Sequence, residues 1–149
     1  MPTLFSMPAR VAISHRLERL RPDSVRLWGT IGCHEMLCHL IDGFRLAFGE
    51  SRHHVQDSWL NSWYGRWFVI DAPLPWPKGK VQAPPMFFET KPEHEFMWDR
   101  NRVGEYVQRF AVGPHQDWGV SPILGPLSPR QWAKLSWRHL DHHLRQFGC

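Results

Sequence analysis

Hydrophobic positions recur with helical spacing in four stretches of the chain. Between Met7 and Leu20, Val11, Ala12 or Ile13, Leu17 and Leu20 follow one another at mixed intervals of three and four. They predict a first helix that ends before Arg21-Pro22, since the residue before a proline is held out of the helical region. After a short connector, Asp23 to Gly29, the residues Ile31, Met36, Leu37, Leu40, Ile41, Phe44, Leu46, Ala47 and Phe48 predict a long, mostly buried second helix closed by Gly49. From Glu93 to Val112, Phe96, Met97, Val103, Tyr106, Val107 and Phe110 oppose Glu95, Asp99, Arg100, Arg102, Glu105 and Arg109, which predicts a third, amphipathic helix. The fourth has the clearest limits: Ser128 is a favoured N-cap, Pro129 suits the first helical position, Arg130 to Phe147 carries the run, and Gly148 stands where a C-terminal cap belongs.

The stretch from Glu50 to Pro92 behaves differently. Pro73, Pro75, Pro77, Pro84, Pro85 and Pro92 forbid a long helix in its second half. Its first half has room for a short one: Trp59, Trp63 and Trp67 recur every fourth residue and would share a helical face, although Trp67 to Ile70 could equally begin a strand. Such a stripe either caps a bundle or walls a ligand pocket. Large apolar groups are costly to expose, so the segment Trp59 to Phe88 is expected to roof one end of the bundle. Four helices without a convincing sheet predict an all-α fold, a four-helix bundle forming a single domain over residues 1–149, with a long Trp/Pro-rich connection between helices 2 and 3.

Composition narrows the function classes. With 42% hydrophobic and 21% charged residues, the chain of 149 residues is not disordered as a whole. No stretch supplies the roughly 18 to 20 uncharged apolar residues that span a bilayer, so no membrane partner is expected. Arg10, His15, Arg16, Glu18 and Arg19 occupy the place where a signal peptide needs its apolar region. Cys33, Cys38 and Cys149 are an odd number, and the first two would lie five apart on one helix, a poor placement for a disulfide. Both observations lead to the expectation of a reducing, cytoplasmic location. The net charge of +4 comes without a basic run longer than two residues, which gives nucleic-acid binding little support. The departures from ordinary usage are ten histidines and nine tryptophans, and candidate chemistry is sought there.

Bundles hold metals by pointing side chains inward from facing helices. On the fourth helix His139 and His143 are about 40° apart on the helical wheel, while His142 is about 60° to the other side of His139. A His139/His142 pair is therefore open, but His139/His143 keeps the rings more nearly above one another, with Leu135 and Gln146 flanking the same face. On the second helix His34 and His39 are about 140° apart and cannot both face inward. His39, with Met36, Leu40, Gly43 and Leu46 around it, is the more interior choice. Each histidine alone would be read as a hydrogen-bonded core or capping residue; it is the convergence of His39, His139 and His143 that points to a metal. His34-Glu35-Met36-Leu37-Cys38 begins like the zinc-protease pattern H-E-x-x-H, but its second histidine is replaced by Cys38. Glu35 and His39 lack the Glu-x-x-His spacing of di-iron bundles, and the fourth helix supplies no inward glutamate. Cys33 and Cys38 are read first as small buried apolar residues, with nucleophile or zinc ligand as the minor alternative.

From about Leu20 to Gly148 the sequence resembles the DinB/YfiT-like superfamily of metalloenzymes. Within it, the chain is similar to a subgroup of bacterial proteins of unknown reaction through Trp28-Gly29, Met36-Leu37-Cys38-His39, Pro75-Trp76-Pro77-Lys78-Gly79, Phe96 with Asp99-Arg100, and Gly125-Pro126-Leu127-Ser128. Trp132 and the run from His139 to Gly148 complete the likeness. The resemblance implies a four-helix protein with metal positions at His39, His139 and His143. It also implies a metal-dependent thiol-transfer activity with a small-molecule substrate such as bacillithiol or mycothiol; a maleylpyruvate isomerase belongs to the same superfamily.

Imidazole ligands suit zinc, nickel, copper and iron alike, so a divalent transition metal, zinc or nickel foremost, is the expected cofactor. The leading expectation is an S-transferase acting at an open three-histidine site. The alternatives are a bundle that binds a metal or ligand without chemistry and a hydrolase using metal-activated water. Asp42, Glu35 and His142 are the nearby candidates for acid or base. A homodimer is compatible with all of these readings.

Overall fold

The computed structural model describes residues 1–80, 83–113 and 117–149, and is mostly helical. Five α-helices occur among the described residues: α1 (Met7–Glu18), α2 (Cys33–Ala47), α3 (Trp63–Ile70), α4 (Phe96–Arg109) and α5 (Pro129–Gln146). Two-residue strands β1 (Val120–Ser121) and β2 (Gly125–Pro126) pair antiparallel, with Val120 opposite Pro126. The four expected helices are present with limits a few residues inside those predicted, and the short α3 falls in the first half of the long connection.

The helix ends follow local chemistry. Ser128 accepts from the Gln131 amide while the Gln131 side chain accepts from the Ser128 amide, so both orphan donors at the start of α5 are satisfied. The Glu35 carboxylate reaches back to the Gly32 amide at 2.9 Å and caps α2 from within its first turn. Ser62 accepts from the Gly65 amide and starts α3, which separates it from the 3₁₀ turn Trp59–Asn61 before it.

α2 packs against α4 and α5, α1 lies against the same two helices, and α3 leans on α5. The apolar residues of α2, among them Met36, Leu37, Leu40 and Ile41, meet Ile13 and Leu17 of α1, Val103 and Val107 of α4, and Leu140 and Leu144 of α5 in one core. Shortening Met36 or any of these leucines and isoleucines to alanine would cost about 2–5 kcal/mol. A second cluster, Leu46, Ala47, Ile70, Leu124, Leu127 and Trp132, packs the far end of α2 against the segment containing the small sheet. Gly119 is required there: its amide donates to the Ala47 carbonyl, and a Cβ would lie only 1.9 Å from the Leu46 carbonyl oxygen.

The tryptophan stripe departs from both expectations. Trp59, Trp63 and Trp67 are 56%, 79% and 52% exposed, so they neither cap the helices nor wall a pocket. Periodicity placed them on one side of a short helix, but that helix buries Gly65 and Ile70 instead.

Candidate metal centre

α2 and α5 lie side by side, and Gly43 makes their close approach possible at the point where His139 projects. A Cβ on Gly43 would stand 3.2 Å from His139 Nδ1 and 3.3 Å from its Cε1. In this space His39 of α2 meets His139 and His143 of α5, and one ring nitrogen of each lies within 4.8 Å of the others. The ring centroids are 4.7 Å apart for His39 and His139, and 4.9 Å for each of the other two pairs. His39 is buried; His139 and His143 keep some contact with solvent. His142 is not part of this group. Its ring is turned toward Trp28 and Trp76, 5.8 Å from each.

Outer hydrogen bonds decide which nitrogen each ring offers. His39 Nδ1 donates to the Phe87 carbonyl at 2.9 Å, leaving Nε2 as the free lone pair. Gln146 donates its amide to the Trp28 carbonyl at 2.8 Å, which turns its Oε1 toward His143. His143 Nδ1 donates to that oxygen at 2.8 Å, again leaving Nε2 free. His139 Nε2 and His39 Nε2 stand 2.8 Å apart, so the two rings turn these nitrogens toward one another.

Electrostatics keep the trio uncharged. Burial drives His139 well below the ordinary imidazole value of 6.5, and the neighbouring His39 and His143 push it further down. Burial, reinforced by His39, pulls His143 down to about 3. His39 is also lowered by burial, with its bond to Phe87 and the nearby Asp42 carboxylate opposing. At neutral pH all three are therefore lone-pair donors.

This donor set fits a metal ion. Ligands about 2.1 Å from one ion are at most about 4.2 Å apart, so small ring rotations suffice to bring the three nitrogens onto a common center. The outer hydrogen bonds to Phe87 and Gln146 are of the kind that fix metal-bound histidines.

Two straps of the Trp/Pro-rich connection lie over the site. Phe88 stacks on His39 at 5.0 Å and 22°, with Phe87 at 5.9 Å. Trp76 lies 6.1 Å from His139. Each strap is tied down by a buried charge on the helix below it. Asp42 of α2 accepts from the Thr90 amide and hydroxyl. Arg138 of α5 donates to the carbonyls of Ile70, Ala72 and Leu74. Of the expected roof, Trp76, Phe87 and Phe88 thus cover the histidines, the three exposed tryptophans do not, and Val81 and Gln82 lie outside the described residues. These bonds also occupy Asp42, while Glu35 is occupied as a cap, so neither carboxylate expected as acid or base faces the trio.

Two surface clefts, of about 460 Å³ beside Pro22, Arg26 and Phe147 and about 500 Å³ beside Phe5 and Arg130, lie elsewhere, and no histidine of the trio lines either. Burial pushes the Cys33 thiol up to about 11, and burial together with Asp99 and Asp42 pushes Cys38 up to about 12. Neither is a ready nucleophile.

No family model, curated protein or solved structure matches the chain. What the fold and the site define is a mostly helical protein with a three-histidine group that could hold a metal ion. No helix among the described residues is long and apolar enough to cross a membrane.

Proposed function

We propose that the chain is a DinB/YfiT-like four-helix metalloprotein, with α1, α2, α4 and α5 as the bundle and His39, His139 and His143 holding one divalent transition ion, zinc or nickel. The observation that carries this reading is the meeting of three neutral imidazoles whose other nitrogens, on His39 and His143, are tied to Phe87 and Gln146. When bound, the ion supplies a Lewis acid that lowers the pKa of a thiol or water in its remaining positions.

The chain's own residues account for the rest. Three neutral ligands bring no negative charge, so the ion's full charge stays available to a thiolate. Phe88 and Trp76 offer an apolar wall that limits water and suits an apolar co-substrate. With Cys33 and Cys38 held as thiols, the nucleophile comes from outside the chain, and a low-molecular-weight thiol fits. The reading is therefore a metal-dependent transferase that uses such a thiol.

A second reading, a metal-binding protein without chemistry, is favoured by one observation: the straps cover His39 and the described clefts open elsewhere. Hydrolysis by metal-activated water is less supported, because Asp42 and Glu35 are engaged elsewhere.

Untagged protein loaded with zinc or nickel decides among them. His139→Ala or His143→Ala should lose one equivalent of metal per chain and His142→Ala should lose none. Metal-loaded and metal-free protein are then compared with bacillithiol, mycothiol, glutathione and cysteine against chloroarenes and epoxides. Turnover that needs both metal and thiol and disappears in His39→Ala supports the transferase. Retained metal with equal background rates in both forms leaves the binding reading.

A further inference from the structure

The pattern His34-x-x-x-Cys38 has no role in the three-histidine centre, yet it is part of a second convergent group. His34 and Cys38 are one turn apart on the same face of α2, and Asp99 faces them from the first turn of α4. His34 Nε2 is 2.8 Å from Asp99 Oδ2, Cys38 Sγ is 3.8 Å from the same oxygen, and all three ligand atoms lie within 4.8 Å of one another. We propose that His34, Cys38 and Asp99 form a second metal site, suited to zinc, that pins the first half of α2 to α4.

Asp99 supplies the strongest argument. Its side chain is completely buried, and its Oδ1 has no hydrogen-bond partner among the described residues. A buried carboxylate with one oxygen unmet is costly. Its other oxygen is served by a part-exposed imidazole and by a thiol, a weak donor. A divalent cation in this place engages the carboxylate directly.

The spacing and the chemistry of the ligands agree with this assignment. In a tetrahedral zinc site with bonds of about 2.0 Å to nitrogen and oxygen and 2.3 Å to sulfur, ligand atoms stand about 3.3–3.5 Å apart. The observed separations bracket those values. Imidazole, thiolate and carboxylate together suit zinc and its spectroscopic substitute cobalt, and are too soft a set for magnesium or calcium. Binding releases the Cys38 proton to solvent, after which thiolate and carboxylate balance the two charges of the ion. Phe96 packs edge-on against the His34 ring at 5.5 Å and 73°, which holds the imidazole toward Asp99.

Other uses of the group fit less well. Both contacts of Asp99 run through Oδ2, so His34 is not interposed between thiol and carboxylate as a nucleophilic relay requires. Glu35, the base of the protease pattern that these residues superficially follow, is bonded to the Gly32 amide. The site is also separate from the three-histidine centre: Cys38 and His39 are neighbours in sequence but about 100° apart around α2, one facing α4 and the other α5.

Cobalt titration of the untagged full chain carrying Cys33→Ser and Cys149→Ser tests the proposal, since Cys38 is then the sole thiol. The expected result is two equivalents of cobalt per chain, one of them giving a near-ultraviolet thiolate-to-cobalt charge-transfer band. His139→Ala with His143→Ala should remove the equivalent without the band, and Cys38→Ser the equivalent with it. Asp99→Asn preserves shape and should weaken the band-forming site at least tenfold. His34→Ala, at a part-exposed position, gives the same test should Asp99→Asn fail to fold. A folded protein that shows no thiolate band, or a band unaltered by His34→Ala, overturns the second site. Loss of the band-free equivalent alone would count against the three-histidine centre and leave this site standing.

Discussion

Gln146 stands one turn beyond His143 on α5 and holds that histidine in a single tautomer, its Oε1 accepting from His143 Nδ1 at 2.8 Å. The glutamine is buried and its amide is itself anchored on the Trp28 carbonyl, so the bond cannot simply invert. Removing the acceptor by Gln146→Leu should weaken metal binding about 10- to 100-fold, the usual cost of losing such an outer partner. Gln146→Glu keeps the acceptor for His143 but loses the donor to the Trp28 carbonyl, so it should bind metal better than Gln146→Leu without exceeding the wild type. Equal dissociation constants for the leucine variant and the wild type, measured by competition with a chromogenic chelator, would remove Gln146 from the site.

Gly43 separates metal affinity from stability. Glycine inside a helix costs about 1 kcal/mol relative to alanine, so Gly43→Ala gains helix propensity. The added methyl, however, meets His139 at 3.2 Å and displaces a ring that has little freedom. The expected outcome is a metal-free protein within about 1 kcal/mol of the wild type in urea denaturation, with metal bound several-fold more weakly. An unchanged affinity would show that His139 tolerates a shift of a few tenths of an ångström.

The helices were readable because their apolar faces repeat with the period of the helix, and Ser128, Pro129 and Gly148 mark the limits of α5. The pair on α5 was readable for the same reason: His139 and His143 follow helical geometry, whereas His142 falls on the side of Trp28 and Trp76. His34 cannot share a direction with His39, so helical geometry excludes it from the trio. That exclusion was sound for one site but concealed a second, since His34 faces Asp99 on α4 while His39 faces α5. The straps carried no such signal. Phe87 and Phe88 are positioned by the Asp42–Thr90 bonds and Trp76 by the course of the chain over Arg138, contacts between residues 48 to 68 apart in sequence. For Trp59, Trp63 and Trp67, spacing reveals a shared side but not which side the rest of the chain covers.

Acid should destabilise the metal-free protein in a window set by the buried histidines. His39, His139 and His143 have folded-state pKa values below the ordinary 6.5, about 3 for His143. Above pH 6.5 neither the folded nor the unfolded chain protonates them, and they leave stability unchanged. Below it the unfolded chain takes up protons that the folded chain excludes, so stability falls as pH falls, by up to about 1.4 kcal/mol per pH unit for each excluded proton. Urea midpoints measured with chelator present should therefore decline steadily from pH 6.5 to 5, before most carboxylates titrate. A flat profile over that interval would mean that the trio is open to water.

The last prediction concerns the tie between α2 and the strap above His39. Asp42 is 2% exposed and receives both the amide and the hydroxyl of Thr90, with the Arg45 guanidinium at 3.2 Å as a charged partner. Hydrogen bonds to a charged group contribute about 1.5–3 kcal/mol each, so Asp42→Ala should destabilise the fold by about 2–4 kcal/mol. Thr90→Val keeps volume and the backbone bond while removing the hydroxyl, and should cost about half as much. Because Phe87 and Phe88 precede Thr90 by only two or three residues, loosening this tie should also free the cover of His39. Limited proteolysis of metal-loaded protein should then cleave between residues 83 and 92 faster in both variants, with α2 and α5 left intact. Cleavage at the wild-type rate in Asp42→Ala would show that the strap is held by the stacking of Phe88 on His39 rather than by the buried carboxylate.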